Sequence, residues 1–207
     1  MSEDANKAEE VNKAHKEKME RVNEAFERRQ AQATVEKGLL IVNTGAGKGK
    51  TTAALGMALR ALGQGMKVGI VQFIKGAIPT GEGAVIEKLN LPIEMHTLGE
   101  GFTWKTQDRE RDIAAARRGW DKAVELLRDP SFDLVILDEL NIALHYDYLP
   151  IDEVLQELAA RREMLHVVVT GRNAKPQLID AADLVSEMKQ IKHPYRDGVK
   201  PQRGVEF

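Results

Sequence analysis

Residues 38–52 read GLLIVNTGAGKGKTT. An apolar run rich in β-branched residues, Leu39 to Val42, stops at a glycine-rich turn, and helix formers begin at Thr51 and continue through Ala53, Ala54 and Leu55. The pattern is a strand, a phosphate loop and a helix. Glycines let backbone amides approach an anion with no Cβ in the way, and the following helix N-terminus adds a favourable dipole. In such a loop Lys50 reaches the phosphates and Thr51 sets its hydroxyl on a magnesium ion. The usual spacing asks for a glycine at position 44, where this chain carries Thr44, and the loop's first glycine is Gly45. The core Gly47-Lys48-Gly49-Lys50-Thr51-Thr52 is intact. A plain turn would rarely need three glycines, because each costs entropy to order.

At 207 residues the length is that of one domain, large enough to bury roughly 70% of its unfolded surface. The composition, 43% hydrophobic and 30% charged, is that of an ordinary soluble protein. No apolar run approaches the roughly 20 residues of a membrane span, and no signal peptide is legible at the N-terminus. Without cysteine, disulfides and thiolate metal sites are excluded, which fits a cytoplasmic chain. A net charge of -2 argues against a broad nucleic-acid footprint, since such binding depends on clustered Lys and Arg that neutralise phosphates.

Residues 1–37 contain neither Pro nor Gly and mix Glu with Lys, while Val11, Met19, Val22 and Phe26 recur loosely at helical spacing. This predicts a charged amphipathic helix outside the central core, so residues 1–36 are set apart as an arm and 37–207 as the phosphate-loop domain. The arm is either solvated or a lid or partner contact with Val22 and Phe26 as its apolar face. Beyond the loop, a helix runs to about Leu62 and is closed by Gly63 and Gly65. Lys67 to Phe73 (KVGIVQF) reads as a strand buried on both faces. Gly76 to Gly83, with Pro79, reads as a loop, Ala84 to Leu89 as a short helix and Ile93 to Leu98 as a third strand. GEGFTWKTQ, Gly99 to Gln107, fits no regular element. A long amphipathic helix is expected from Asp108 to Arg128, stopped by Asp129-Pro130. Leu134 to Leu137 is an apolar strand ending in Asp138-Glu139. A helix from Asp152 to Arg162, a strand from His166 to Thr170, the turn Gly171-Arg172-Asn173, a short helix from Lys175 to Ala182 and a strand from Leu184 to Ile191 follow, with a turn-rich basic tail from Lys192.

Strands alternating with helices give an α/β fold of the phosphate-loop NTPase type, a mostly parallel sheet covered on both faces. Ligands sit at the carboxyl ends of such strands. That edge collects the phosphate loop, the loop after Phe73, Gly99 to Trp104, Asp138-Glu139 and Gly171-Arg172. An acidic residue at the end of a strand beside the loop holds magnesium directly or through water, so Asp138 and Glu139 join Thr51 as metal candidates. There is no Asn-Lys-x-Asp segment to read guanine. Arg109, Arg111, Arg117 and Arg118 are candidates for a kinase-like lid, although a solvated helix face explains them as well. The five histidines, His15, His96, His145, His166 and His193, lack ligand spacing. Phe102 and Trp104 stand out in a chain that is 5% aromatic: they are core plugs or, at the ligand edge, a flat apolar wall against a large planar ligand.

NTGAGKGKTTAALGMALRALG, VQFIKG, GEGFTW, VILDELNIAL, VTGRNA, ADLVSEMKQIKHP and the closing QRGVEF together resemble the ATP:corrinoid adenosyltransferases of bacterial cobalamin synthesis, over about Gly38 to Phe207. Thr44 in place of the first glycine is itself a mark of that family. The resemblance implies transfer of the 5′-deoxyadenosyl group of ATP to the cobalt of cob(I)alamin or cob(I)yrinic acid a,c-diamide, releasing tripolyphosphate. This is displacement at carbon with cobalt(I) as nucleophile, so no general base is needed. By the same resemblance Thr44, Gly45, Ala46, Gly47, Lys48, Gly49, Lys50, Thr51 and Thr52 bind the triphosphate, in the reverse sense to ordinary ATPases. Lys50 is catalytic, Arg172 contacts the nucleotide, and Thr51 with Glu139 or Asp138 holds Mg2+. Phe102 and Trp104 lie on the lower face of the corrinoid, where an apolar wall displaces the axial ligand and eases reduction to cobalt(I). A flavodoxin-like flavoprotein reductant and a homodimer are further implications. Two other readings use the same loop: a kinase or ATPase that transfers phosphate, and a nucleotide-gated interaction protein that docks through its N-terminal helix.

Overall fold

A computed structural model describes residues 3–74, 81–89, 91–99 and 108–205. Residues Met1–Glu36 and Lys37–Phe207 form two compact units. The first consists of one long helix, α1 (Glu3–Gln32), on which Val11, Met19, Val22 and Phe26 are all exposed.

The second unit is built on six strands: β1 (Leu40–Thr44), β2 (Val68–Gln72), β3 (Ile93–Thr97), β4 (Leu134–Asp138), β5 (His166–Thr170) and β6 (Leu184–Glu187). They form one sheet in the order β3-β2-β4-β5-β1-β6, and every pairing is parallel. β1, β2 and β4 are buried at every residue, which explains why they read as continuous apolar runs without alternation. Pleating still divides them between two cores. One face, with Leu40, Val42, Val71, Val135, Leu137, Val167 and Val169, packs on α4 (Arg109–Arg128), α5 (Leu140–His145), α6 (Ile151–Ala159) and α7 (Pro176–Ala181) through Trp120, Leu144, Leu158 and Leu178. The other, with Ile41, Val68, Ile70, Leu134, Ile136 and Val168, packs on α2 (Lys50–Gly63), whose contact stripe is Ala54, Ala58 and Ala61. Alanines at that spacing bring the helix axis close to the sheet and so seat its N-terminus on the sheet edge. Ile86 of α3 (Gly81–Leu89) packs at the border of this second core. No helix among the described residues is long and apolar enough to cross a membrane.

Several boundaries differ from expectation. The loop expected through Gly83 gives way to α3 at Gly81, and Pro79 lies outside the described residues. The last strand ends at Glu187 instead of Ile191: Met188 N still donates to Thr44 O of β1, but Met188 O accepts from Gly47 N of the phosphate loop. α6 stops at Ala159, short of Arg162; Arg161 donates to Leu158 O at 2.6 Å at the helix end, and Arg162 donates to Phe132 O ahead of β4. α5 was not expected at all. It starts directly after Glu139, which turns the chain with a left-handed φ of 64°. A glycine or asparagine is the usual marker of that conformation, and neither is present at the turn.

Asp183, just ahead of β6, ties the edge of the sheet together. It accepts from the Leu40 amide at 2.9 Å and pairs with Lys37 and with Arg161. The Lys37 ammonium, then the Leu40 amide, hold its carboxyl below the ordinary value against a smaller opposing effect of burial. A depressed carboxylate contributes stability that is complete above the unfolded value of about 4 and is lost as pH falls through the lower folded value. Asp183→Asn should therefore cost about 1 kcal/mol at pH 7. Thermal melts of both proteins should converge towards pH 3, and a gap that persists there would contradict this linkage.

Candidate active site

The phosphate loop lies between β1 and α2, and Lys50 opens the helix. The Lys50 side chain turns back across the loop: it is 6% exposed, and its Nζ donates to Gly45 O at 2.8 Å and to Gly47 O at 2.6 Å. Burial lowers its ammonium from the usual value, opposed by Glu139 and, more weakly, Asp138, while Arg172 reinforces the lowering. These are the charges gathered around Lys50, and they come from two other strand ends.

A second backbone segment lies over the loop. Met188 N donates to Thr44 O at 2.8 Å and Gly47 N donates to Met188 O at 2.6 Å. A Cβ on Gly45 or Gly47 would stand 2.5 Å or 2.7 Å from Met188 O. Both glycines are therefore required by the crossing of two chains as well as by any anion. Thr44 belongs to the same frame, because its Oγ1 accepts from Ala174 N at 3.1 Å. Its side chain thus fastens the turn that carries Arg172. Asn141 of α5 holds the other side of that turn through Nδ2 to Gly171 O at 3.0 Å.

A row of polar side chains runs along the carboxyl edge of the sheet on the α2 face. Thr97, Gln72 and Asp138 lie opposite one another in register on β3, β2 and β4. Thr97 Oγ1 donates to Gln72 Oε1 at 3.0 Å, and Gln72 Nε2 donates to Asp138 Oδ2 at 2.9 Å. Asp138 Oδ1 accepts from Thr170 at 2.7 Å and from Thr51 at 2.8 Å. Asp138 is 1% exposed and its oxygens are engaged inside the protein. Glu139 is half-buried. Its amide donates to Thr170 Oγ1 at 3.0 Å, and its Oε2 would stand 3.1 Å from a Cβ on Gly171, so its carboxylate lies beside the Arg172 turn.

Gly47 to Thr52, Glu139 and Arg172 line one cleft of about 750 Å³, which continues between α2 and α3 past Leu55, Leu59, Val85 and Ile86. The chain thus provides a cationic, amide-rich end and an apolar flank, suited to an anion attached to a larger organic body. Thr44 and Gly45 lie behind the loop as framework, Ala46 is exposed outside the lining, and Asp138 lies beneath it. Phe102 and Trp104 fall outside the described residues. α4, with Arg109, Arg111, Arg117 and Arg118, contributes nothing to the lining among the described residues, and Arg117 pairs with Glu153 of α6. Among the described residues no group of three or more His, Cys, Asp or Glu is placed to hold a metal. Sequence reading passed over Gln72, Thr170, Asn141 and Met188. For Gln72 a cue existed: a polar residue at the carboxyl end of an otherwise apolar, two-sided strand.

The chain matches the family model described as ATP:corrinoid adenosyltransferase BtuR/CobO/CobP over residues 36–207. It is 53% identical to the corrinoid adenosyltransferase of Pseudomonas aeruginosa over 202 residues, covering 98% of this chain and 100% of the relative. It is 54% identical to the Sinorhizobium corrinoid adenosyltransferase, over 97% of this chain and 94% of that one. The corrinoid adenosyltransferase CobA of Salmonella typhimurium is 45% identical, over 93% of this chain and 97% of that one. With its phosphate loop, parallel sheet and near full-length matches, this chain belongs to the ATP:corrinoid adenosyltransferase family.

Proposed function

We propose that the chain transfers the 5′-deoxyadenosyl group of ATP to the cobalt of a reduced corrinoid, cob(I)alamin or cob(I)yrinic acid a,c-diamide, and releases tripolyphosphate, in adenosylcobalamin synthesis or salvage. The observation that carries this reading is the convergence of Lys50, Thr51, Glu139 and Arg172 on one cleft with an apolar flank, in a chain of this family. Cobalt(I) gives an electron pair to the ribose C5′, the C5′–O bond breaks, and that bond's electrons leave on tripolyphosphate. Cobalt ends as alkylcobalt(III), so atoms and charge balance without a proton transfer. The loop therefore stabilises the leaving group and not a phosphoryl group in flight. Lys50 and Arg172 supply positive charge to the departing triphosphate, the first amides of α2 donate to it, and the cleft holds C5′ in line with cobalt.

The donors fit a magnesium ion that arrives with the nucleotide. Thr51 gives its proton to Asp138, which leaves its oxygen lone pairs available. Glu139 adds a carboxylate at the cleft wall. Mg2+ takes oxygen ligands and usually keeps water and phosphate among them, so two protein oxygens are a fitting set. When bound, the ion neutralises charge on the triphosphate. In this reading Glu139 and Thr51 are the direct ligands and Asp138 acts through Thr51.

Phe102 and Trp104 form the apolar wall below the corrinoid, an assignment supported by the family resemblance of GEGFTW. The same resemblance supports a flavodoxin-like electron donor and a homodimer; the lack of cysteine supports a cytoplasmic setting, and the charged sequence of residues 1–36, without Pro or Gly, supports α1 as an arm apart from the phosphate-loop domain. A kinase or ATPase reading lacks support from the arginines of α4, which stand apart from the cleft lining.

Mixing the protein with MgATP and chemically reduced cobalamin should produce the absorbance change of a cobalt–carbon bond. Its absence with active cob(I)alamin would overturn the proposal. Lys50→Ala should reduce the rate at least about a hundredfold with either cobalt(I) or cobalt(II) supplied, and a near-normal rate would remove the loop from the mechanism. Phe102→Ala and Trp104→Ala should slow adenosylation from cob(II)alamin under a reducing system while leaving ATP binding and the reaction of pre-reduced cob(I)alamin nearly intact. Equal losses in both assays would contradict a role in reduction.

A further inference from the structure

We infer that Gln72 and Thr97 are positioning residues for the magnesium–nucleotide end of the cleft, acting through Asp138 on the Thr51 hydroxyl. The inference rests on the reading of Thr51 and Glu139 as ligands of that ion. It follows from the donor and acceptor capacities along the row. An ionised carboxylate only accepts, so Gln72 turns Nε2 towards Asp138 Oδ2, and its Oε1 is left for Thr97, whose hydroxyl must donate. The polarity of the chain is thereby fixed from the edge strand inward: Thr97 to Gln72, Gln72 to Asp138. On the other oxygen, Thr51 and Thr170 both donate to Oδ1.

Thr51 and Thr170 hold Oδ1, and Gln72 holds Oδ2. Gln72 thus adds an anchor on the far oxygen that keeps the carboxylate plane, and with it the direction in which Oδ1 accepts from Thr51. If that restraint loosens, Thr51 can rotate and present its proton to the cleft in place of its lone pairs. An oxygen-seeking cation would then meet a donor. Gln72 is 3% exposed, so its bond to Asp138 is shielded from water that could replace it. Thr97 is exposed, which gives a handle that does not disturb the core. The Thr51 hydroxyl so oriented lies 87 positions from Asp138 in the sequence.

The test uses the full chain and titrates ATP by calorimetry at a series of MgCl2 concentrations, together with thermal melts. Thr97→Val keeps the shape and removes the donor. It should raise the magnesium concentration that half-saturates the gain in ATP affinity by about tenfold, with ATP affinity in chelator unchanged. Thr97→Ser keeps the donor and should restore the wild-type magnesium dependence. Gln72→Leu should reproduce or exceed the effect of Thr97→Val. If both variants melt lower while the magnesium half-saturation stays at the wild-type value, the row is merely structural and the inference is wrong. If the wild type itself gains no ATP affinity from magnesium, the ligand assignment of Thr51 and Glu139 fails first, and the two failures are told apart by that control.

Discussion

A carboxylate sealed from water must be matched by donors, and Asp138 at the carboxyl edge of the sheet is matched by Thr51, Thr170 and Gln72 from α2, β5 and β2. An unmatched charge at that depth would cost several kcal/mol. The site can therefore exist only when three elements are in register and α2 starts at the right height. The alanine stripe of α2 and the parallel pairing of β2, β4 and β5 make that height reproducible. The phosphate loop is then held from three sides: by Lys50 from within, by Met188 from above and by Thr44 through the Arg172 turn. Remote parts of the fold thus converge on the loop and set its shape.

The fold was legible to the extent that two-sided burial leaves a mark. β5 was readable because a run of four β-branched residues, Val167 to Thr170, ends at a glycine turn. Helix α4 was readable from its period and from Asp108, whose side chain accepts from Arg111 N at 3.1 Å. Features without a local mark were missed. The start of α5 depends on Glu139 accepting a left-handed conformation, and the tertiary frame imposes it. The end of β6 depends on a bond between Met188 and Gly47, 141 positions earlier, which no window of neighbouring sequence contains.

The candidate site shows the same division. Lys50, Thr51, Glu139 and Arg172 carry chemistry in their side chains and could be named from the motif and the strand ends. Gln72 and Thr170 look ordinary in sequence, since a polar residue closing a strand is common. Their meaning depends on which strands become neighbours, β2 with β4 and β4 with β5. Thr44 is the instructive case. The motif assigns it to the phosphate cradle, whereas its hydroxyl oxygen fastens the neighbouring turn. Gly45 and Gly47 likewise carry a packing constraint from Met188 that the motif does not mention.

In the proposed reaction the loop grips a leaving group, so the bond broken is C5′–O and the triphosphate stays whole. The direct measurement is 31P NMR of the products after single-turnover reaction of the full chain with MgATP and cob(I)alamin. Tripolyphosphate formed in equal amount to adenosylcobalamin is the predicted result; ADP with inorganic phosphate, and no intact tripolyphosphate, would contradict it.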